Sequence, residues 1–495
     1  MLFRSLSGIT RLHISVNKPK AGKVFTENIF ITDSFATGKY FKNLELVIKA
    51  IPNLGYRFVS WEGISNSTNP EISVSLPSES YITAIFAPVE ISIVPDTIFT
   101  NLVLRTDNSP YYTCKDIVIK PGAVLQIERG VEVRMAQSAN IFVYGSLLVH
   151  GTNESPVIFR PDSETGAKNW GAICFENASG ASALNYLKIE GASKGRDFLR
   201  YFSSLTAYNS DLKMDHLEIE TDLVQPFYSE YGNIEIKNSH FKSNIAGDLI
   251  NLKYSVSALV QNCIFYGNDA IDADAIDYDQ ILNGQIIGNK IYGFFGFNSD
   301  GIDLGEGDKN ILIKDNAIYN CFDKGISIGQ ASTALVYNNI FVNCGEGIGI
   351  KDDGSYALVD RNTFYGNKVA VASFEKNWGD GGGNIDMVNC IVANSIDSPV
   401  FVDRLSVLNI QYSISDTEEL DGENNLLASP EMTNPEWNDF SLLSNSPCID
   451  AGNPFSSPDA DGSRADIGAG FAFVPPQAST VIITEICYSP APGVN

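Results

Sequence analysis

Through the middle of the chain, short apolar runs are interrupted by Asn and Gly at a regular beat. From residue 238, Asn followed by one variable residue, a mostly apolar one and then an aromatic or Val recurs. It opens as Asn238-Ser239-His240-Phe241 and returns at Asn262, Asn289, Asn316, Asn338, Asn362 and Asn389, in steps of 24, 27, 27, 22, 24 and 27 residues. A second motif keeps time with it: Ala275-Ile276-Asp277-Tyr278, Gly301-Ile302-Asp303-Leu304, Gly325-Ile326-Ser327-Ile328 and Gly347-Ile348-Gly349-Ile350. Periods of this length mark stacked supersecondary units. Neither a Leu-x-x-Leu-x-Leu pattern nor a helical period is present, so each unit is expected to be a turn of roughly three short strands. Equivalent residues of successive turns then stack about 4.8 Å apart, the ordinary strand spacing. Strand alternation points Ile302 and Leu304 inward and Asp303 outward. The repeated Asn suits a bend, because it tolerates left-handed backbone and its amides can bond along a stack.

The fold class expected is all-β: a right-handed parallel β-helix preceded by a small β domain. The β-helix is placed at residues 96–473. Its first strands flank the Pro-Gly turn of Ile117-Val118-Ile119-Lys120-Pro121-Gly122-Ala123-Val124-Leu125. Residues 1–9 read as a tail and 10–90 as the small β unit. Its segments Gly55-Tyr56-Arg57-Phe58-Val59-Ser60-Trp61-Glu62-Gly63 and Tyr81-Ile82-Thr83-Ala84-Ile85-Phe86-Ala87-Pro88 resemble the divergent internalin B-repeat. Ser446-Pro447-Cys448-Ile449-Asp450-Ala451-Gly452 resembles the closing segment of many bacterial β-helices. Residues 474–480 read as a linker, and 481–495 resemble the truncated start of a lamin-tail domain. The arrangement resembles multidomain bacterial surface proteins with pectate-lyase-like repeats, some of which also carry a CotH-type kinase domain. That domain is not in this chain, which has neither its Gly-rich phosphate loop nor a His-Arg-Asp motif. The resemblance implies an extracellular or cell-surface location, and a chain that is one piece of a longer parent with further domains.

Charge narrows the partners. With 34 Lys and Arg against 59 Asp and Glu, the net charge is −25, which repels nucleic acid and anionic membrane. No apolar stretch is long enough to span a bilayer, and the first residues lack the apolar core of a signal peptide. Four His and eight Cys without CxxC spacing argue against zinc. Cys321 and Cys344 fall in adjacent repeats, where they can pair or serve as small buried hydrophobes.

The acids themselves depart from a plain repeat. Aligning the second motif stacks Asp274 on Asp300 and Asp277 on Asp303, and like charges opposed on a sheet are destabilising. Three explanations are open: a Ca²⁺ site held by Asp274, Asp277, Asp300, Asp303 and Glu306, paired catalytic carboxylates, or a solvated acidic face. Asn298-Ser299-Asp300-Gly301-Ile302-Asp303 is similar to the Asn-Thr-Asp-Gly motif of polygalacturonase-type glycoside hydrolases, which implies a catalytic Asp300. The chain departs from that family next, with Asp323-Lys324 where Asp-Asp is expected and Gly345-Glu346-Gly347 where Gly-His-Gly is expected. β-Helix polysaccharide lyases use Ca²⁺ with a Lys or Arg base, and that likeness singles out Lys324, in the column of Asp274 and Asp300. Lys351, Tyr278, Phe297 and Trp378 are candidate ligand-binding residues, the last on the Gly-rich loop at 374–383. Two functions remain. One is an extracellular module that binds polysaccharide or matrix with Ca²⁺. The other is a polysaccharide-degrading lyase or glycoside hydrolase on the same face, with Asp300, Asp303, Asp323 and Lys324 catalytic.

Overall fold

A computed structural model describes residues 8–26, 29–31 and 35–470. The proposed lamin-tail segment and its linker lie outside the described residues. The small β domain has two four-stranded sheets. In one, Ile9–Val16 lies between Phe35–Phe41 and Ser80–Pro88, and Ser80–Pro88 pairs on with Tyr56–Gly63. Leu12, Ile14, Val24, Ile48, Trp61, Ile82 and Phe86 fill the core between the sheets. Tyr56, Phe58, Trp61 and Phe86 of the two repeat-like segments thus meet in one interior, while Tyr81 is exposed.

From Ser92 the chain becomes a solenoid. Two long parallel sheets, one of 13 strands and one of 26, wind around one core. The 13-stranded sheet takes one strand from each turn, and the other takes two, which run together as Ser182–Glu190 and Leu212–Thr221 in two of the turns. Inward residues stack rung on rung, as in Phe227, Ile250, Ile276, Ile302, Ile326, Ile348 and Val371. Each buried side chain of this kind contributes about 1.5–3 kcal/mol, which is why short strands with few local contacts hold together.

The repeated Asn resolves into two adjacent columns with different tasks. Aligned through the strand register, Asn238, Asn262, Gly288, Asp315, Asn338, Arg361 and Asn389 all adopt left-handed backbone at the bend. The next residue of each turn points inward: Ser239, Cys263, Asn289, Asn316, Asn339, Asn362 and Cys390, all fully buried. There the amides form a ladder. Asn316 Oδ1 accepts the Asn289 backbone N–H at 2.8 Å and its Nδ2 at 2.9 Å, while Asn316 Nδ2 donates to the Ile286 carbonyl at 2.8 Å and to Asn339 Oδ1 at 2.9 Å. The sequence alignment had merged the columns by placing Asn289, Asn316 and Asn362 with Asn238. Cys321 and Cys344 are buried free thiols, the small-hydrophobe alternative.

The last described segment doubles back along the coil. Ala469 N–H donates to Thr363 Oγ1 at 2.9 Å and Gly470 N–H to Asn338 Oδ1 at 2.7 Å. Phe440, Cys448 and Ile467 cover the outward apolar residues Tyr319, Ile340, Val342 and Ile391. Among the described residues no helix is long and apolar enough to cross a membrane.

Candidate functional site

The outer face of the 13-stranded sheet carries three columns of polar residues, spaced at positions p, p+3 and p+5 of each turn. The first runs Asp248, Asp274, Asp300, Lys324, Glu346. The second runs Asn251, Asp277, Asp303, Ser327, Gly349, and the third Lys253, Asp279, Gly305, Gly329, Lys351. The strands Ile250–Lys253, Ile276–Asp279, Ile302–Gly305, Lys324–Ile328 and Glu346–Lys351 fix this spacing, with Asp248, Asp274 and Asp300 just ahead of the first three.

The first column is a relay of backbone contacts. Asp248 Oδ1 accepts the Asp274 N–H at 3.2 Å, Asp274 Oδ1 accepts the Asp300 N–H at 2.6 Å, and Asp300 Oδ1 accepts the Lys324 N–H at 2.7 Å. The acids are desolvated as well as crowded. Burial, with Asp300, Asp248 and Asp303 nearby, pushes Asp274 well above the carboxylate range. Burial lifts Asp248 to about 6, and it lifts Asp300 to about 7 against the pull of Lys324. Glu346 is raised by burial to about 7, again opposed by Lys324.

Lys324, only 4% exposed, ends the acidic run. Its ammonium pairs with Asp323 and stands 3.9 Å from Asp300 Oδ1. Lys351 folds in from the opposite column to 3.9 Å from Asp303 Oδ1. Two glycines make these paths available. A Cβ on Gly349 would meet Glu346 Oε2 at 2.3 Å and Lys324 Cδ at 2.7 Å, and one on Gly329 would meet Lys351 Cε at 2.8 Å. In the second column Asn251 Nδ2 donates to Asp277 Oδ2 at 2.5 Å and to Asp248 Oδ2 at 2.9 Å. Asp277 is raised well above its ordinary range by burial and by Asp248. At the edge, Lys253 pairs with Asp279 at 2.5 Å.

Asp277 and Asp303 of the second column and the whole third column line a groove of about 430 Å³, with Glu306, Gln330, Asp352, Lys376 and Asn377 along one lip. Lys376 lies against Lys351, and burial together with that like charge holds it below the usual lysine range. Several oxygens of the first two columns are buried without a hydrogen-bond partner: Asn251 Oδ1, Asp303 Oδ1, Ser327 Oγ and Glu346 Oε2. Such groups are costly unless something bonds them.

The predicted residues sort as follows. Asp300, Asp303, Asp323 and Lys324 are brought together, with Lys351 on the far side of Asp303. Phe297 and Trp378 are 72% and 98% exposed, and the Phe297 ring lies tilted to that of Phe322, 6.3 Å away. Tyr278 is corrected: it is fully buried in the inward stack between Leu252 and Leu304 and cannot meet a ligand. The expected ion ligands do not converge. Asp274 and Asp300 belong to one column and Asp277 and Asp303 to another, lysines stand beside the last pair of rungs, and Glu306 sits on the lip. Among the described residues no group of three or more His, Cys, Asp or Glu is arranged to hold a metal ion. Asp248, Asn251, Lys253, Asp279, Ser327, Glu346 and Lys376 were missed. The p, p+3, p+5 spacing was the available signal for all but Lys376, which reaches the groove from a loop.

Against known proteins, residues 227–409 match the family described as the right handed beta helix region. This stretch of the chain is a right-handed β-helix, and all three columns lie within it. Residues 18–90 match the divergent InlB B-repeat domain. Protein bark beetle of Drosophila melanogaster is 36% identical over 64 residues, covering 13% of this chain and 2% of that protein. Among solved structures, the periplasmic alginate epimerase AlgG is 15% identical, covering 60% of this chain and 76% of its own, with a TM-score of 0.43. Pectate lyase Pel9A is 12% identical, covering 71% and 88%, with a TM-score of 0.34. These are likenesses of β-helix architecture.

Proposed function

We propose that the groove binds a polysaccharide whose sugars carry carboxylates, outside the cell and as one module of a longer surface protein. The observation that carries this reading is the crowding of Lys351 and Lys376 beside Asp303. Two ammonium groups close together in the groove repel each other, and a carboxylate from a ligand relieves both. The exposed rings of Phe297 and Trp378 offer flat apolar faces. The InlB-like unit ahead of the β-helix supports a surface location.

The test is calorimetric titration with polygalacturonate, polymannuronate and a neutral glucan. A uronate binds, salt weakens it, and Lys351→Ala/Lys376→Ala weakens it at least tenfold. Equal binding of the neutral glucan, or no binding of any uronate, overturns the reading.

Proton-transfer chemistry on the same polymer is a second reading, favoured by one feature. Lys324 sits between Asp300 and Glu346, both held near 7, and groups poised near neutrality suit acid–base work. Unsaturated or shortened products that disappear in a folded Asp300→Asn variant would establish a lyase or hydrolase.

A further inference from the structure

Asp277 and Asp303 of the groove belong to a longer outward column, which runs through Phe142, Cys174, Thr206 and Tyr228 before reaching Asn251. Those first rungs are not open. The segment at 195–202 lies down on them. Phe202 packs tilted against Tyr228 with ring centres 4.6 Å apart, and Tyr201 packs on Phe142 at 5.8 Å and Tyr208 at 6.2 Å. The segment is pinned by charge as well as by rings. Arg200 forks onto Glu176 at 2.9 and 2.7 Å and lies 4.0 Å from the Tyr208 ring centre, while Tyr201 Oη donates to Glu176 at 2.9 Å. Cys174 and Thr206 are fully buried beneath it. One rung beyond Tyr228 these ring contacts end, and Asn251 turns to Asp248 and Asp277. At the other end of the column Phe401 is half exposed.

We infer that the groove is blind at its Tyr228 end, so that it takes a carboxylated polysaccharide by a chain end, with the terminal sugar against the plug formed by residues 195–202. The inference rests on the binding reading above. From Lys253 to Lys351 there are five rungs, about 19 Å at the ordinary strand spacing, so the groove holds a short oligosaccharide and a longer chain leaves past Lys351.

The experiment titrates the full chain with oligogalacturonates and oligomannuronates of graded length and with the parent polymers. Binding by an end gives one protein per polymer chain whatever its length, and an affinity that stops rising once the oligomer fills the groove. Stoichiometry that grows with polymer length overturns the blind end while leaving the uronate reading intact. No binding of any uronate overturns both. Replacing residues 196–201 with a Gly-Ser linker opens the end, and polymer stoichiometry then climbs with length. Phe202→Ala, a smaller change to the same plug, moves it in the same direction, and a one-to-one ratio in both folded variants counts against the plug.

Discussion

The backbone N–H of Lys324 donates to Asp300 Oδ1 at 2.7 Å while the ammonium of the same lysine stands 3.9 Å from that oxygen. One residue therefore closes the acidic column twice, through its main chain and through its charge. Removing only the charge leaves Asp300, Asp323 and Glu346 uncompensated in a desolvated site. Lys324→Met is expected to cost about 3–5 kcal/mol at pH 7, the usual cost of orphaning a buried charge, measured by denaturant unfolding. A loss under 1 kcal/mol would show that the acids are already neutral without it.

Acidification should stabilise the β-helix. Asp248, Asp300 and Glu346 have folded-state values of about 6, 7 and 7, and unfolded carboxylates titrate near about 4. The native state therefore holds protons that the unfolded chain releases. The associated stability is full below about pH 4 and is lost as pH rises through 6 to 7. The melting temperature is expected to fall from pH 5 to pH 8. Asp274→Asn, which keeps an acceptor for the Asp300 N–H, should raise stability at pH 8 by about 1–2 kcal/mol and flatten the profile. A pH-independent melting temperature would contradict the buried, crowded acids.

The two Asn columns predict opposite tolerances. Asn262 supplies left-handed backbone, so Asn262→Gly should change stability by less than about 0.5 kcal/mol. Asn316 makes four buried hydrogen bonds, and Asn316→Ala leaves several partners unsatisfied at about 1–3 kcal/mol each. Calorimetric melting of both variants decides it. Similar losses would mean the ladder carries no more than the bend.

Gly349→Ala tests the groove without touching a charge. The added methyl runs into the ends of Glu346 and Lys324, which can swing away into the groove. Folding should survive within about 1 kcal/mol, while uronate affinity drops at least tenfold in titration. Unchanged affinity would place the ligand elsewhere.

Calcium discriminates between the acid columns as ion ligands and as a protonated, lysine-capped array. With Asp274 and Asp300 bonded to backbone N–H groups and Lys324 and Lys351 close by, millimolar Ca²⁺ alone should leave the melting temperature unchanged. A rise that vanishes in Asp277→Ala/Asp303→Ala would restore these acids as the ion site.

The sequence by itself determined the coil. Inward Ile302, Ile326 and Ile348 and the repeated Asn are dictated by alternation and period, because each turn solves the same burial problem as the last. It also stacked Asp274 on Asp300 and Asp277 on Asp303, since register in a solenoid is nearly a matter of counting. Only the tertiary structure decided which Asn bends the chain and which bonds along it, because adjacent positions differ by facing out or in. It also decided that Tyr278 is core, since Tyr fills an inward rung as readily as it meets solvent. Lys376 and the plug at 195–202 come from loops outside the repeat. No period foretells where such a loop lies down, and its contacts with Lys351, Glu176 and Tyr228 arise only once the coil has brought distant turns together.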